Sequence, residues 1–223
     1  MLIDLHNHTY PKSDDSFLSA DELVDTARLA GLDGICITEH DSFWSPEDTA
    51  ALTRRHGILV LPGAEINTDA GHVLVFGLNR YRFGMHKPSF LRAEADSLGA
   101  VLIAAHPYRR RYLEDPASDP AVRAEMLDRA IADPQLRLFD AVESFNGRGS
   151  LNENRFAHDL NQVLGRPGVG GSDAHRIQQI GTAATRFERR ITSLEDLIAE
   201  IRAGRTTPVS LAAASAGSLA TTV

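Results

Sequence analysis

A single cysteine, Cys36, among 223 residues excludes an internal disulfide and any thiolate-rich metal site, so a metal held by this chain is held through nitrogen and oxygen. Lysine is scarce too: Lys12 and Lys87 stand against 21 arginines. Arginine is the better fork for two-point contact with phosphate or carboxylate, although genomic base composition produces the same bias. No apolar run approaches the ~18 to 20 residues of a membrane span. The N-terminus carries Asp4 and His6 inside its apolar stretch and has no basic lead, so it reads as a first strand and not as a signal peptide. The expectation is a cytoplasmic protein with no membrane partner. A basic excess is missing as well, and a formal charge of −7 argues against a surface that coats duplex nucleic acid.

What is present is a globular composition, 43% hydrophobic and 24% charged, in a chain long enough for one sizeable core. Short apolar runs alternate with segments of helical period. MLIDL, GICIT, GILVLPG, HVLVFGL, AVLIAA, FDAVESF and PGVGG are the strand candidates. A helix is predicted over 19–31, opened by a Ser19/Glu22 capping box and stopped by Gly31, and another from Ser45, with Pro46 first and acidic Glu47 and Asp48 beside it. Others are predicted at 88–98, 121–132, 152–164 and 194–203, the last behind a Thr192/Glu195 capping box. Repeated β-α units imply parallel strands with helices outside, either a doubly wound sheet or a barrel. The stretch RRRYLEDPASDP reads as an excursion over a barrel mouth. One domain is expected over 1–208, with a low-complexity, frayed tail over 209–223.

The ends of these strands carry a pattern: HNH, TEHD, GAE, GHV, AHP and GSDAH. In an extended chain His6 and His8 share one face with Asp4. A single polar residue at a strand end is ordinary, but that account predicts mixed polar types and not His, Asp or Glu at nearly every end. With Asp15 from KSDDS the set is His6, His8, Asp15, His40, Glu65, His72, His106, Asp173 and His175. Nine donors exceed what one metal uses, and three ions sharing a carboxylate and water are the economical reading. Metal ligands at the carboxyl ends of strands favour the barrel.

From Leu2 to about Pro208 these stretches resemble, in order, the PHP (polymerase and histidinol phosphatase) superfamily: H-x-H near the N-terminus, an acid-His pair after the second strand, a central Glu followed by His, and D-x-H near the C-terminus. The resemblance implies an α/β fold, a distorted (β/α)7 TIM-like barrel with its metal site at the C-terminal ends of the strands. It implies three divalent ions, Zn, Mn or Fe, with His6, His8, Glu65 and Asp173 on one, Glu65, His72 and His106 on a second, and Asp15, His40 and His175 on a third. Glu65 would bridge. Asp14 competes with Asp15 for the acidic position, and Asp15 is preferred because small Ser16 follows it in a turn. Phe43 and Trp44 stand where a small residue is usual; they either wall the pocket or pack as the entrance to the next helix. Binuclear amidohydrolases also open with H-x-H but often bridge their metals with a carboxylated lysine, and neither Lys12 nor Lys87 ends a strand.

Three carboxylates against three divalent ions leave the site about three charges positive, which focuses anions and favours a phosphoester. Glu65, Asp173 and His175 are the expected catalytic residues. Water shared by the two ions joined through Glu65 would lose its proton near pH ~7 and attack phosphorus in line. Arg109, Arg148 and Arg176 follow strand-end motifs, where a guanidinium forks onto phosphate oxygens. With 21 arginines, chance proximity is the competing account. Asn146 and Glu143 are candidate substrate contacts or supports. The expected activity is hydrolysis of a small phosphomonoester, a nucleotide or phosphorylated metabolite, with no obligate protein partner evident. The alternatives are a phosphodiesterase or nuclease on single-stranded nucleic acid, with YRRRY at 108–112 stacking bases, and a non-catalytic scaffold.

Overall fold

The computed structural model describes residues 1–109 and 119–211. In chain order the elements are β1 (Leu2–Asp4), α1 (Ala20–Leu29), β2 (Gly34–His40), α2 (Pro46–His56), β3 (Leu59–Thr68), β4 (Gly71–Phe76), α3 (Pro88–Leu98), β5 (Val101–Ala104), α4 (Pro120–Ala132), β6 (Ala141–Asn146), α5 (Leu151–Leu164), β7 (Gly168–Gly171), β8 (Ala183–Phe187), α6 (Leu194–Arg202) and β9 (Thr206–Ser210). The expected excursion lies mostly, and the frayed tail almost wholly, outside the described residues. Among the described residues no helix is long and apolar enough to cross a membrane.

The helices begin and end where their caps dictate. Ser19 Oγ accepts from Glu22 N (3.2 Å) while Ser19 N donates to Glu22 Oε2 (3.0 Å), and α2, α3 and α5 stop at glycines 57, 99 and 165 in the left-handed region. The expected Thr192/Glu195 box does not form, and the cap of α6 lies one residue later. Ser193 is the N-cap and accepts from Asp196 N (3.2 Å), and Thr192 donates from its backbone N to the Asp196 carboxylate (2.9 Å). The Asp196 carboxylate thus reaches the residue before the cap and not the Ser193 N–H, so no capping box closes here.

All nine strands form one sheet in the order β7-β6-β5-β4-β3-β2-β1-β8-β9. Its ends meet through side chains. Thr185 Oγ1 on β8 accepts from Gly170 N (2.9 Å) and donates to Gly170 O (2.8 Å), and Thr206 Oγ1 on β9 donates to Gly168 O (3.0 Å). Asn7 also pairs with Ala174 in an isolated parallel bridge, joining the continuations of β1 and β7. The result is a nearly closed, distorted barrel.

The expectation of uniformly parallel strands fails at β4, which is antiparallel to both β3 and β5, and at β8, which is antiparallel to β1 and β9. Only Asp69 and Ala70 separate paired Thr68 and Gly71. A parallel crossover needs a dozen or so residues, so two residues can only make a hairpin. This reversal puts the start of β4 at the end of the barrel where β2 and β3 finish.

One apolar cluster takes a side chain from each of β1 to β8, among them Ile3, Cys36, Leu61, Leu74, Ile103, Ala141, Val169 and Phe187, and fills the barrel. Leu197 and Ile201 of α6 belong to it and floor the end opposite the finishing strands, where Arg202 reaches Ala100 O (2.9 Å) just ahead of β5. Leu197→Ala would open that floor at a cost of about 2 to 5 kcal/mol. A second cluster packs α3, α4 and α5 on the sheet, and a third packs α1 and α2.

Candidate metal centre

Parallel strands deliver their C-terminal ends to one face of the barrel, and reversed β4 delivers its start there. His6 and His8 follow β1, His40 ends β2 opposite Glu65 of β3, His72 lies at the start of β4, His106 follows β5, and Asp173 and His175 follow β7. Glu65 is the centre. Its Oε2 lies 3.3 Å from His6 Nε2, 3.3 Å from His8 Nε2 and 3.2 Å from His40 Nδ1. Its Oε1 lies 2.7 Å from His72 Nδ1 and 2.9 Å from His106 Nε2. The sixth imidazole, His175, lies 3.1 Å from Asp15 Oδ2 and 3.5 Å from Asp173 Oδ1, and Asp15 is 3.4 Å from His40. Asp173 Oδ1 is 3.6 Å from His6 and 3.7 Å from His8. All nine expected residues converge. Of the two acidic alternatives, Asp15 turns to the imidazoles, whereas exposed Asp14 lines an outer groove with Tyr10 and Phe17.

The donor set fits divalent ions. His6 Nε2, His8 Nε2, His40 Nδ1, His72 Nε2 and His106 Nδ1 are buried nitrogens without a hydrogen bond, and leaving such atoms unpaired is costly unless something coordinates them. Donor atoms within 4.8 Å of one another form four triads: His8, His40 and His175; His6, His106 and Asp173; His6, His8 and Glu65; His40, Glu65 and His72. These overlap and do not divide the nine residues into three separate sets.

Charge is concentrated here. Burial works to raise the Asp173 carboxyl, but His6, His106 and Arg109 hold it well below the usual carboxylate range. Burial likewise opposes ionised Glu65, and the charge of His6 with hydrogen bonds from His106 and His72 outweighs it. The imidazoles diverge: burial pulls His106 below its ordinary value, whereas Glu65, Glu143 and Asp173 overcome burial at His6 and raise it well above. His106 and Asp173 take φ of 27° and 56° without being glycine, a strain of order 1 to 3 kcal/mol each that clusters at functional sites. The bonds His106 N to Glu143 Oε2 (2.8 Å) and Asp173 N to His6 O (2.8 Å) hold them there.

Arg109 Nη1 donates to Asp173 Oδ2 (2.5 Å) and Nη2 to Asn146 Oδ1 (3.2 Å). Arg148 Nη1 lies 3.4 Å from Asp173 Oδ1 and 3.0 Å from His175 Nδ1. Arg176 is not drawn in: its guanidinium stacks 4.1 Å from the Phe17 ring centre. Phe43 and Trp44 both pack inward against apolar clusters at the entrance to α2. Lys12 donates to Phe43 O and Lys87 to Asp69, so neither lysine bridges the cluster.

Behind the ligands lie further buried carboxylates. Glu143 Oε1 is 2.9 Å from His6 Nδ1, and its Oε2 accepts from Asn146 (3.1 Å). This is the carboxylate–histidine arrangement that orients a metal ligand. Asp4 accepts from His6 N (3.2 Å) and Ser172 N (2.8 Å), tying the H-x-H segment to the D-x-H segment; burial pushes its carboxyl up to about 7. Its place two residues before His6 was the one signal for it. Glu39, the acid of the acid-His pair after the second strand, is fully buried, and the pattern gave it no role of its own.

The same architecture occurs in PsfC from Pseudomonas syringae, 21% identical with a TM-score of 0.65 over 95% of this chain and 92% of that one. It occurs also in a two-domain protein from Bacteroides vulgatus containing a predicted PHP-like metal-dependent phosphoesterase, 21% identical with a TM-score of 0.64 over 93% of this chain. This chain spans 64% of that protein's length. An amidohydrolase from Chromobacterium violaceum with bound SO4 is 17% identical, with a TM-score of 0.61 over 96% of this chain and 99% of that one. At such identities the likeness is one of fold. In sequence the chain is 28% identical over 117 residues to the uncharacterised protein MJ1587 of Methanocaldococcus jannaschii, 48% of this chain and 68% of that one. Residues 152–206, with Asp173 and His175, match the family described as PHP-associated, and residues 4–127, with the other members of the cluster, match the PHP domain. The chain therefore belongs to the PHP domain family.

Proposed function

We propose that this protein is a metal-dependent phosphomonoesterase acting on a small phosphorylated metabolite or nucleotide. The observation that carries the reading is the meeting of Arg109 and Arg148 on Asp173, which sets two guanidinium forks at the edge of the imidazole and carboxylate cluster. Divalent ions held by the nine residues would supply Lewis-acid polarisation and acidified water. The chain's own part is to bind and orient. Arg109 and Arg148 offer N–H donors to the non-bridging phosphoryl oxygens, where charge accumulates during in-line displacement. Asn146 holds Arg109 through its Oδ1 and accepts from Arg148 N (3.0 Å) on the same atom, so one amide aligns both forks. Glu143 fixes the His6 ring, and the half-exposed Asp15 leaves the site open on the side of His40 and His175.

The nuclease alternative leaned on stacking by the Tyr108–Tyr112 stretch. Tyr108 is fully buried and has no face to offer a base, and residues 110–118 lie outside the described residues. The test is turnover of sugar phosphates, mononucleotides, bisphosphates and histidinol phosphate with added Mn or Zn, beside phosphodiesters and single-stranded oligonucleotides. Release of inorganic phosphate from monoesters is expected. Turnover of the diesters alone would reject the proposal in favour of the nuclease. A protein that holds no more than one ion and turns over nothing would be the scaffold.

A further inference from the structure

Glu39 is fully buried, and all four of its hydrogen bonds come from donors. Its Oε2 accepts from Thr9 N (2.9 Å) and Ser13 Oγ (2.6 Å), and its Oε1 accepts from Thr9 Oγ1 and from the indole N–H of Trp44 (2.8 Å). A carboxylate so surrounded can only accept. The one proton of the Ser13 hydroxyl is thereby committed to Glu39. Two further groups approach the same oxygen, His40 N at 3.2 Å and His8 Nδ1 at 3.2 Å, and both must donate to it. His8 therefore carries its proton on Nδ1, which leaves the lone pair on Nε2, the buried nitrogen 3.3 Å from Glu65 and without a hydrogen bond.

We infer that Glu39 is a positioning residue: acting through the Ser13 hydroxyl it fixes the tautomer of His8, so that Nε2 faces the carboxylate cluster as an acceptor for a cation. The bond from His40 N to the same hydroxyl places the start of the next ligand on one anchor. Glu143 does this for His6 directly; Glu39 does it for His8 at one remove. The inference rests on the metal-binding role of His8 and not on the identity of the substrate. It predicts a definite failure. In Glu39→Leu no acceptor remains for the Ser13 hydroxyl, so the hydroxyl turns, still accepting from His40 N, and donates to His8 Nδ1. The imidazole proton then moves to Nε2, and its lone pair turns away from the cluster.

The test is nitrogen-15 imidazole spectroscopy of the chelator-stripped protein, at a pH where His8 is neutral, with zinc titration beside it. Wild type is expected to show His8 protonated on Nδ1. Glu39→Leu is expected to move that proton to Nε2 and to weaken one equivalent of zinc by about 10- to 100-fold while the other equivalents stay bound. Glu39→Asp, which restores an acceptor-only group, should return the Nδ1 tautomer. Trp44→Phe, which removes a donor but leaves Ser13 and Glu39 paired, should keep it. If Glu39→Leu does not fold, Ser13→Ala gives the same readout with a smaller change, and loss of the Nδ1 preference is expected there. An Nδ1 tautomer that persists in whichever of Glu39→Leu or Ser13→Ala folds overturns the inference. A wild-type protein that takes up no zinc would defeat the metal role of His8, and the tautomer readout would report that separately.

Discussion

Glu65→Gln is the perturbation with the most to say. The substitution keeps shape and removes one buried charge at the point where five imidazoles lie within 3.3 Å. Glu65 belongs to two of the four donor triads, and its Oε1 also faces His106. An amide in its place offers one weak acceptor oxygen, and its N–H donors displace a cation from the other side. If each of the two triads holds an ion, both are weakened together, and bound metal should fall by about two equivalents. His40→Ala serves as the comparison: His40 also stands in two triads, but a neutral imidazole has one free lone pair and holds one ion, so the expected loss is about one equivalent. Activity should drop by at least about 1,000-fold in both, close to 4 kcal/mol of transition-state stabilisation. The assay is elemental analysis of folded, dialysed protein, with circular dichroism to establish that the barrel persists. Equal metal content in wild type and Glu65→Gln would refute the central placement of this carboxylate.

Arg148→Ala should raise KM for a phosphomonoester by about tenfold or more, the worth of one charge-assisted bond, while Arg176→Ala should leave steady-state kinetics unchanged because its guanidinium rests on Phe17. Gly147→Ala adds a methyl group that meets the Thr182 hydroxyl and the Ser172 backbone, so it should displace the loop bearing Arg148, cost about 1 to 3 kcal/mol in thermal unfolding and lower kcat/KM. His56 of α2 lies 2.7 Å from Asp21 and 2.9 Å from Asp25 of α1, and these carboxylates raise its pKa above the ordinary 6.5 against the effect of burial. The pairing therefore stabilises fully below the unfolded value and is lost as pH rises through the higher folded value. The unfolding free energy of His56→Gln should match wild type at alkaline pH and fall below it at mildly acidic pH, by less than about 1 kcal/mol.

The strand-end donors were legible because His, Asp and Glu at successive β-termini are improbable for other reasons, and each of the nine sits in the cluster. Helices were legible from their caps, apart from the choice of Ser193 over Thr192. The strands β8 and β9 gave no signal. AATRF is short, and TTPVS carries Pro208, which a ladder interior rejects and a terminal strand tolerates. Direction was lost at the Asp69–Ala70 turn, where the parallel rule yields to the length of the connection. The supports Asp4, Glu39 and Ser13 were hidden for another reason. A hydrogen bond between Asp4 and Ser172 joins residues 168 apart, and no local window contains both.

That separation has a kinetic side. Glu65 and His72 are seven residues apart on one hairpin and meet as soon as β3 and β4 pair, whereas Asp173 N reaches His6 O only after the chain has travelled from β1 round to β7. The entropy of closing so long a loop must be met before those contacts return anything, so the half of the centre built on the hairpin can form early and the half built on His6, His8 and Asp173 must form late. A nascent chain that ends before residue 173 holds Glu65 without Asp173, the carboxylate that shares His6 and His8 with it. Metal loading by such a chain would be partial, and the complete donor set exists only once the barrel has joined its first strand to its seventh.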